Sequence, residues 1–152
     1  MSNLSTQTPE TNAGCPFCEW LFRGAEKPPI VYEDDYLVAT LCDVPITPGH
    51  TQIIFKTHYH EVAAVDPDDS ARMGSLMPML SAAIKNALGA EMVYVACIAE
   101  VVRHVHFHLV PRYASSVKGF DLLAGPRIPL ERVEETLAAL HEHLHTKSTH
   151  SI

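Results

Sequence analysis

Three histidines alternate with apolar residues in the stretch that most limits how this chain can fold. It runs from His104 to Val110 and reads His-Val-His-Phe-His-Leu-Val. Successive side chains of a β-strand point to opposite faces, so the histidines share one face and the apolar residues share the other. The apolar face predicts a strand packed on a core. Pro111 has no N–H to donate, and we expect it to end the hydrogen-bond ladder.

This row of imidazoles favours a functional site over an ordinary solvent-exposed strand face, where Thr, Lys or Glu would be more usual. The strand rise spaces neighbouring rings by about 6.6–6.8 Å. Near neutral pH an imidazole can act as a nucleophile, an acid–base group or a metal ligand. The sequence therefore predicts a site on this strand.

Length and charge limit the class of protein. A chain of 152 residues suits a single domain with its own core. A formal net charge of −7 argues against nonspecific nucleic-acid binding, which needs a basic surface. No apolar run is long enough to span a membrane, and the polar N-terminus does not resemble a secretory signal. We expect a disordered tail over residues 1–14, one domain over 15–147, a C-terminal tail over 148–152 and a cytoplasmic location.

The four cysteines fall into two groups. Cys42 and Cys97 lie in apolar, strand-like segments and are predicted to be buried small hydrophobes. Cys15 and Cys18 form a C-x-x-C pair. From the residues alone this pair has three interpretations: a redox pair, half of a zinc site, or coincidence. The redox interpretation expects a βαβ context, which is not predicted here.

Hydrophobic periodicity predicts an α+β fold, with an antiparallel sheet of about five strands, one long helix and a C-terminal helix. The predicted elements are a short helix at 19–23, strands at 30–33, 36–42, 51–55, 91–99 and the histidine stretch, a helix from Asp66-Pro67 to Gly89, a loop over 114–128, and a helix over 129–145. Pro78 predicts a kink or a late start in the long helix. His141, His143 and His145 are predicted to be solvated, with metal binding by His141 and His145 a minor alternative.

Several motifs, in this order along the chain, resemble the histidine triad (HIT) family. They are the C-x-x-C pair, Tyr32-Glu33-Asp34, the loop Asp43 to His50, Lys56-x-His58, and the triad with Pro111-Arg112. The resemblance implies a HIT-like fold and a homodimer whose sheets join across the two-fold axis. It also implies a small-molecule nucleotide as the substrate.

The resemblance implies a nucleotidyl hydrolase or transferase that acts on nucleoside phosphoramidates or dinucleoside polyphosphates. The middle triad histidine, His106, would be the nucleophile and would form a covalent nucleotidyl-histidine that water resolves. His50 and His108 resemble residues that surround the phosphate. Asp43 resembles the residue that accepts hydrogen bonds from the ribose hydroxyls, which a carboxylate can do.

A zinc-containing subset of the family implies a structural zinc ion bound by Cys15, Cys18, His58 and His104. Such a Cys₂His₂ set makes a closed tetrahedral site, which suits a structural role. His60 is the nearest competitor of His58, which we prefer because it occupies the motif position.

The segment before the triad departs from the family pattern. Many members have Gly-Gln-Ser/Thr there and an Asn further upstream, which grip the phosphate and the leaving group. This chain has Ala-Glu-Val-Val-Arg at 99–103. Glu100 would then lie where polar contacts to the leaving group are usual, and its carboxylate would repel phosphate unless it is protonated or paired with Arg103 or Arg112. This departure bears on the substrate and on the rate.

Two other functions remain open from the sequence. The three triad histidines would all bind metal if the protein were a zinc hydrolase with an open water position. A nucleotide-binding module without efficient turnover is the non-catalytic alternative.

Overall fold

A computed structural model describes residues 12–148, and it has the predicted α+β architecture. Five antiparallel strands form one sheet in the order β1-β2-β3-β5-β4. The strands are β1 Ile30–Glu33, β2 Leu37–Leu41, β3 Thr51–Phe55, β4 Met92–Ala96 and β5 His106–Arg112. The helices are α1 Pro16–Phe22, α2 Pro67–Leu88, α3 Phe120–Leu123 and α4 Val133–Ser148, and a 3-10 turn lies at Val62–Ala64.

The histidine strand β5 lies inside the sheet, between β3 and β4. Its pairing with β3 ends at Leu109, which is opposite Thr51, whereas its pairing with β4 continues to Arg112. The prediction that Pro111 ends the ladder is therefore wrong for the strand as a whole. Pro111 is tolerated because its backbone points to the side where β3 has already ended. There its carbonyl accepts a hydrogen bond from the Thr47 hydroxyl at 2.6 Å.

Helices cover one face of the sheet and enclose the main core. Val105 and Leu109 are fully buried in this core, which confirms the predicted apolar face of the histidine stretch. The long helix α2 supplies buried apolar side chains at helical spacing: Met73, Leu76, Leu80, Ala83 and Ile84. Burial of this stripe against the sheet stabilises the rigid platform that carries the histidines.

The ends of α2 follow from local chemistry. The Asp66 side chain accepts a hydrogen bond from the backbone N–H of Asp68 at 2.8 Å, which caps the first turn. Gly89 ends the helix in the left-handed conformation at φ 74°. The helix runs continuously past Pro78, so the predicted late start is wrong.

The opposite face of the sheet carries α1 and the histidines. Trp20 of α1 packs on Val38 and Ile54, which holds the N-terminal segment against the sheet.

Several elements differ from prediction. The first helix α1 begins at Pro16 rather than at 19, β4 ends at Ala96 rather than at 99, and β5 begins at His106 rather than at His104. The last helix α4 begins at Val133 rather than at 129, and the predicted loop contains the short helix α3. Of the predicted tails, residues 1–11 and 149–152 lie outside the described residues. Within 12–148, no helix has the length and apolar character to cross a membrane.

Candidate active site and metal centre

His106 is the first residue of β5, and its ring has a defined hydrogen-bonding state. Its Nδ1 lies 2.7 Å from the carbonyl oxygen of His104. A carbonyl only accepts, so Nδ1 carries the proton and Nε2 keeps its lone pair. The residue is 5% exposed, and this burial lowers the pKa of His106 below its ordinary value. At neutral pH the structure therefore presents a neutral imidazole with a free nucleophilic nitrogen.

His50 and His108 form a second pair whose tautomers are fixed from the backbone. The backbone N–H of Ile46 donates to His50 Nδ1 at 3.0 Å, so the proton of the neutral His50 ring is on Nε2. This Nε2 lies 2.8 Å from His108 Nδ1, which must accept. His108 therefore carries its own proton on Nε2 and can donate it to a ligand.

Both rings of this pair are neutral near pH 7. Burial, with further contributions from neighbouring positive groups, lowers the pKa of His50 to about 3 and that of His108 to about 4. The site therefore combines one nucleophilic nitrogen, on His106, with one N–H donor, on His108. The two rings lie side by side, with centroids 4.8 Å apart.

A cleft of about 550 Å³ opens over these histidines. Most of its wall is apolar, and the polar lining includes His106, His108, Gln52, Asp43 and Arg127. Asp43 lies in the loop that follows β2, and one of its carboxylate oxygens accepts the backbone N–H of Val44 at 3.0 Å. The structure thus brings three of the predicted site residues, His106, His108 and Asp43, to one cleft.

Phe17 and Arg127 of the cleft were not predicted as site residues. Phe17, between the two cysteines of C-x-x-C, places its ring edge-on against His106 with centroids 4.9 Å apart. Arg127 comes from the predicted loop over 114–128 and donates to the carbonyl of Val44 at 3.0 Å. No local pattern marks either residue; each reaches the cleft only through the tertiary fold.

A second group of side chains lies at the start of the histidine stretch and has the chemistry of a metal site. The ligand atoms of Cys15, Cys18, His58 and His104 all lie within 4.8 Å of one another. Cys15 Sγ lies 3.4 Å from His104 Nδ1, and Cys18 Sγ lies 3.3 Å from His58 Nδ1.

These distances fit zinc. A tetrahedral ion with bonds of about 2.3 Å to sulfur and about 2.0 Å to nitrogen separates a sulfur ligand from a nitrogen ligand by about 3.5 Å. The tautomer of His104 also fits a metal site, because its Nε2 donates to the carbonyl of Phe55 at 2.6 Å and leaves the lone pair of Nδ1 free to bind the ion. The cluster could therefore hold a zinc ion as a closed structural site.

The same geometry separates His104 from the other two triad histidines. Nδ1 of His106 and Nδ1 of His108 have partners of their own, and neither residue belongs to the cluster. His60 contacts the ring of His58, with centroids 4.8 Å apart, but is likewise outside it. Within the described residues, the three triad histidines thus do not converge on one point.

Glu100 lies apart from the cleft. It lines a separate cavity of about 360 Å³ together with His60 and Arg103. Arg112, one of its two predicted partners, instead pairs with Glu91 at 2.6 Å. The segment 99–103 contributes Val101 and Val102 to the cleft wall, so this wall is apolar.

The remaining cysteines and histidines form no further metal cluster within residues 12–148. Cys42 is buried as predicted, whereas Cys97 is only partly buried. On α4, Nδ1 of His143 and of His145 each lie within hydrogen-bonding distance of a carbonyl one turn earlier. Metal binding by His141 and His145 gains no support from this arrangement.

The chain belongs to the HIT domain family, because the model of this family matches residues 24–115. This family has a nucleotide-binding and hydrolase fold. A HIT-like protein of Saccharolobus solfataricus is 34% identical over 105 residues, which cover 66% of this chain and 75% of the relative. An adenylylsulfatase of Arabidopsis thaliana is 34% identical over 103 residues, covering 64% of this chain and 52% of that longer protein.

Solved structures agree with the fold. A Zn-bound histidine triad family protein from Mycobacterium smegmatis has a TM-score of 0.76 at 26% identity, covering 91% of this chain and 98% of the other. A hypothetical histidine triad nucleotide-binding protein from Sulfolobus tokodaii has a TM-score of 0.74 at 26% identity, covering 87% and 93%. The zinc ion of the first protein agrees with a metal site as one feature of such a fold.

Proposed function

We propose that this protein is a nucleotidyl hydrolase or transferase in which His106 is the nucleophile. Its substrates would be nucleoside phosphoramidates, dinucleoside polyphosphates or a related nucleotide such as adenylyl sulfate. The observation that carries the proposal is the hydrogen bond from His106 Nδ1 to the carbonyl of His104, at 2.7 Å. It leaves the lone pair of Nε2 free in a cleft large enough for a nucleotide.

In the first step, the lone pair of His106 Nε2 forms a bond to the phosphorus atom that bears the nucleoside. The bond from phosphorus to the leaving atom breaks, and its electron pair departs with the leaving group. The His106 ring then carries a positive charge, which the carbonyl of His104 stabilises through the Nδ1–H. His108 donates its Nε2–H to a phosphate oxygen as negative charge builds up there.

In the second step, water attacks the same phosphorus atom and the Nε2–P bond breaks. The electron pair returns to His106, the water proton is released to solvent, and a nucleoside monophosphate leaves. Asp43 would hold the ribose hydroxyls, and His50 would act through His108.

The experiment that tests this proposal uses zinc-loaded protein, a panel of these adenosine substrates and the variant His106→Asn. Asn retains an N–H for the carbonyl of His104 but has no nucleophilic nitrogen. We expect wild type to release AMP through an acid-labile adduct, and His106→Asn to lose the adduct with roughly 10³-fold or more of the turnover. His143→Asn on α4 is the matched control and should behave as wild type. Full turnover by His106→Asn would refute the nucleophile.

One observation favours the non-catalytic alternative, a nucleotide-binding module. Val101 and Val102 line the cleft, whereas the family pattern described above has polar residues in this segment. Glu100, the acidic residue of the segment, lies outside the cleft. Nucleotide binding without AMP release from any member of the panel would establish this alternative.

We further propose that Cys15, Cys18, His58 and His104 bind a structural zinc ion. When bound, the ion would supply no chemistry to the reaction but would tie α1, and with it Phe17, to the triad strand. Structural zinc in small domains contributes apparent binding free energies of about 10–16 kcal/mol. We also propose that residues 15–147 form one domain and that the protein is located in the cytoplasm.

A homodimer through β4 completes the proposal. This strand forms one edge of the sheet, so its outer N–H and C=O groups are open to a second strand. Large apolar side chains are exposed on β4 or close to it: Met92, Val95, Ile98, Val101 and Phe120. Val95→Glu should convert the dimer to a monomer in light scattering, whereas Val62→Glu, on the separate 3-10 turn, should not. A monomeric wild type would contradict the proposal.

A further inference from the structure

We propose that Arg127 binds a second anionic group of the substrate, so that the cleft favours nucleotides whose leaving group is itself an oxyanion, either a phosphate chain or a sulfate. The inference rests on the proposed function of His106 and narrows its substrate class. It assigns a specificity-determining role to a residue that lies 15 positions beyond the last residue of β5, Arg112.

The position of Arg127 is fixed from two sides. Its Nη1 donates to the carbonyl of Val44 at 3.0 Å. The backbone N–H of the next residue, Ile128, donates to the carbonyl of Pro45 at 2.8 Å. These two bonds fasten the segment to the Asp43–His50 loop. The guanidinium is therefore held at the wall of the cleft that also contains His106 and His108, although its side chain is exposed.

Arg127 has unused donors. A guanidinium has five N–H groups in a planar fork that matches phosphate or sulfate oxygens. Within the part of the chain that the structure describes, no carboxylate lies within 4.0 Å of it. By contrast, the four arginines that do have a carboxylate partner are Arg23, Arg72, Arg112 and Arg132.

The charge of Arg127 acts on the His50–His108 pair. Burial is the largest cause that lowers the pKa of His50 and of His108, and the positive charge of Arg127 lowers both further. Because the histidines are neutral, Arg127 supplies the positive charge among the described residues that line the cleft. An anion beyond the attacked phosphate would meet this positive charge, whereas the Asp43 carboxylate of the same lining has its proposed role at the ribose hydroxyls.

The protons that the cleft can donate favour the same class of leaving group. A phosphate chain or a sulfate departs as a stable anion and needs no proton, whereas an amine needs one as the P–N bond breaks. His108 has a single ring proton, and releasing it would leave a costly imidazolate. The wall formed by Val101 and Val102 offers no proton either. The cleft can therefore assist departure of the leaving group through the fixed positive charge of Arg127, which stabilises the negative charge of a phosphate chain or a sulfate.

Kinetics with three substrates that share adenosine and the attacked phosphate test the inference. They are diadenosine triphosphate, adenylyl sulfate and adenosine 5′-phosphoramidate. Arg127→Gln should lower kcat/KM about 10- to 100-fold for an anionic leaving group, the usual effect of losing a charged hydrogen bond, and less than about threefold for the phosphoramidate. Arg127→Lys should be intermediate. Arg132→Gln, which removes the same charge from an exposed site on another surface, is the matched control and should change none of them.

A decrease confined to the triphosphate or to adenylyl sulfate would support the inference and identify the anion. Equal effects on all three substrates, or no effect on any, would overturn it.

A binding measurement separates this inference from the proposed function. In the His106→Asn background, which prevents turnover, ADP should bind at least about fivefold more tightly than AMP at low ionic strength. Adding Arg127→Gln should remove that preference. If wild type cleaves nothing, the catalytic proposal fails, yet this ratio still decides the role of Arg127. An ADP-to-AMP ratio that Arg127→Gln leaves unchanged would refute it.

Discussion

His50 donates its Nε2–H to Nδ1 of His108 across 2.8 Å, and this contact turns the other nitrogen of His108 into a donor. The direction of the bond originates in the backbone, because the N–H of Ile46 occupies the lone pair of His50 Nδ1 at 3.0 Å. One loop amide therefore sets the tautomer of two rings in sequence. The carbonyls of His104 and Phe55 do the same for His106 and His104.

Replacing His50 with Asn should separate the tautomer effect from stability. The Asn side-chain oxygen can still accept the N–H of Ile46, but it does not reach His108. We expect a change in the free energy of unfolding of less than about 1 kcal/mol, and a decrease of roughly 10²-fold in kcat/KM, typical of a lost proton-positioning group. Nitrogen NMR should show the neutral His108 ring as a mixture of the Nδ1–H and Nε2–H tautomers in exchange. A single Nε2–H tautomer in the variant would contradict the relay.

Acid should destabilise the protein well above the pH at which carboxylates titrate. In the folded state the pKa of His50 is about 3 and that of His108 about 4, against 6.5 for the ordinary side chain. Below pH 6.5 the unfolded chain therefore binds protons that the native chain does not. The stability is fully present above pH 6.5 and decreases towards pH 4, by about 1.4 kcal/mol per pH unit for each histidine.

Urea unfolding at pH 7, 6 and 5 measures this slope. The double variant His50→Asn/His108→Asn should have a shallower slope, and the difference between the two proteins removes contributions from zinc release. Equal slopes would mean that these histidines titrate normally.

The sequence predicted the elements whose signals are local. β1 and β3 have the predicted bounds, and both ends of α2 follow from Asp66 and Gly89. The extension of β5 past Pro111 could not be predicted, because it depends on which neighbouring strand ends first.

Motif positions also brought His106, His108 and Asp43 to one cleft and the four Cys and His side chains to one cluster, but they placed Glu100 in the site, and the structure puts it in a separate cavity. Phe17 and Arg127 escaped prediction since each depends on contacts between segments far apart in the chain.

Zinc content should distinguish His58 from its neighbour His60. His58 Nδ1 lies 3.3 Å from Cys18 Sγ and belongs to the four-residue cluster, whereas His60 does not. We expect about one zinc ion per chain in wild type and in His60→Gln, and little zinc with a lowered Tm in His58→Gln. Metal analysis by mass spectrometry and a thermal melt give both quantities. Cys18→Ser should behave as His58→Gln, and the control Cys97→Ser as wild type. Zinc retained in His58→Gln but lost in His60→Gln would reverse the assignment.

Tyr59 should stabilise the segment after β3 that carries the proposed zinc ligand His58. Its hydroxyl donates to Asp69 at 2.6 Å, and Asp69, which is 7% exposed, also accepts from Arg72 at 2.7 Å. This bond ties the segment after β3 to the first turn of α2. Tyr59→Phe removes the hydroxyl and leaves a buried carboxylate with one donor fewer, so we expect a loss of about 1–3 kcal/mol in the free energy of unfolding.

Because His58 immediately precedes Tyr59, the same variant should also release zinc to a chelator faster than wild type. Tyr36→Phe is the matched control: it keeps the aromatic ring that Arg72 covers at 3.5 Å. That variant should remain within about 0.5 kcal/mol of wild type. If Tyr59→Phe matches Tyr36→Phe in both unfolding and zinc release, the hydrogen bond to Asp69 contributes nothing to holding the loop.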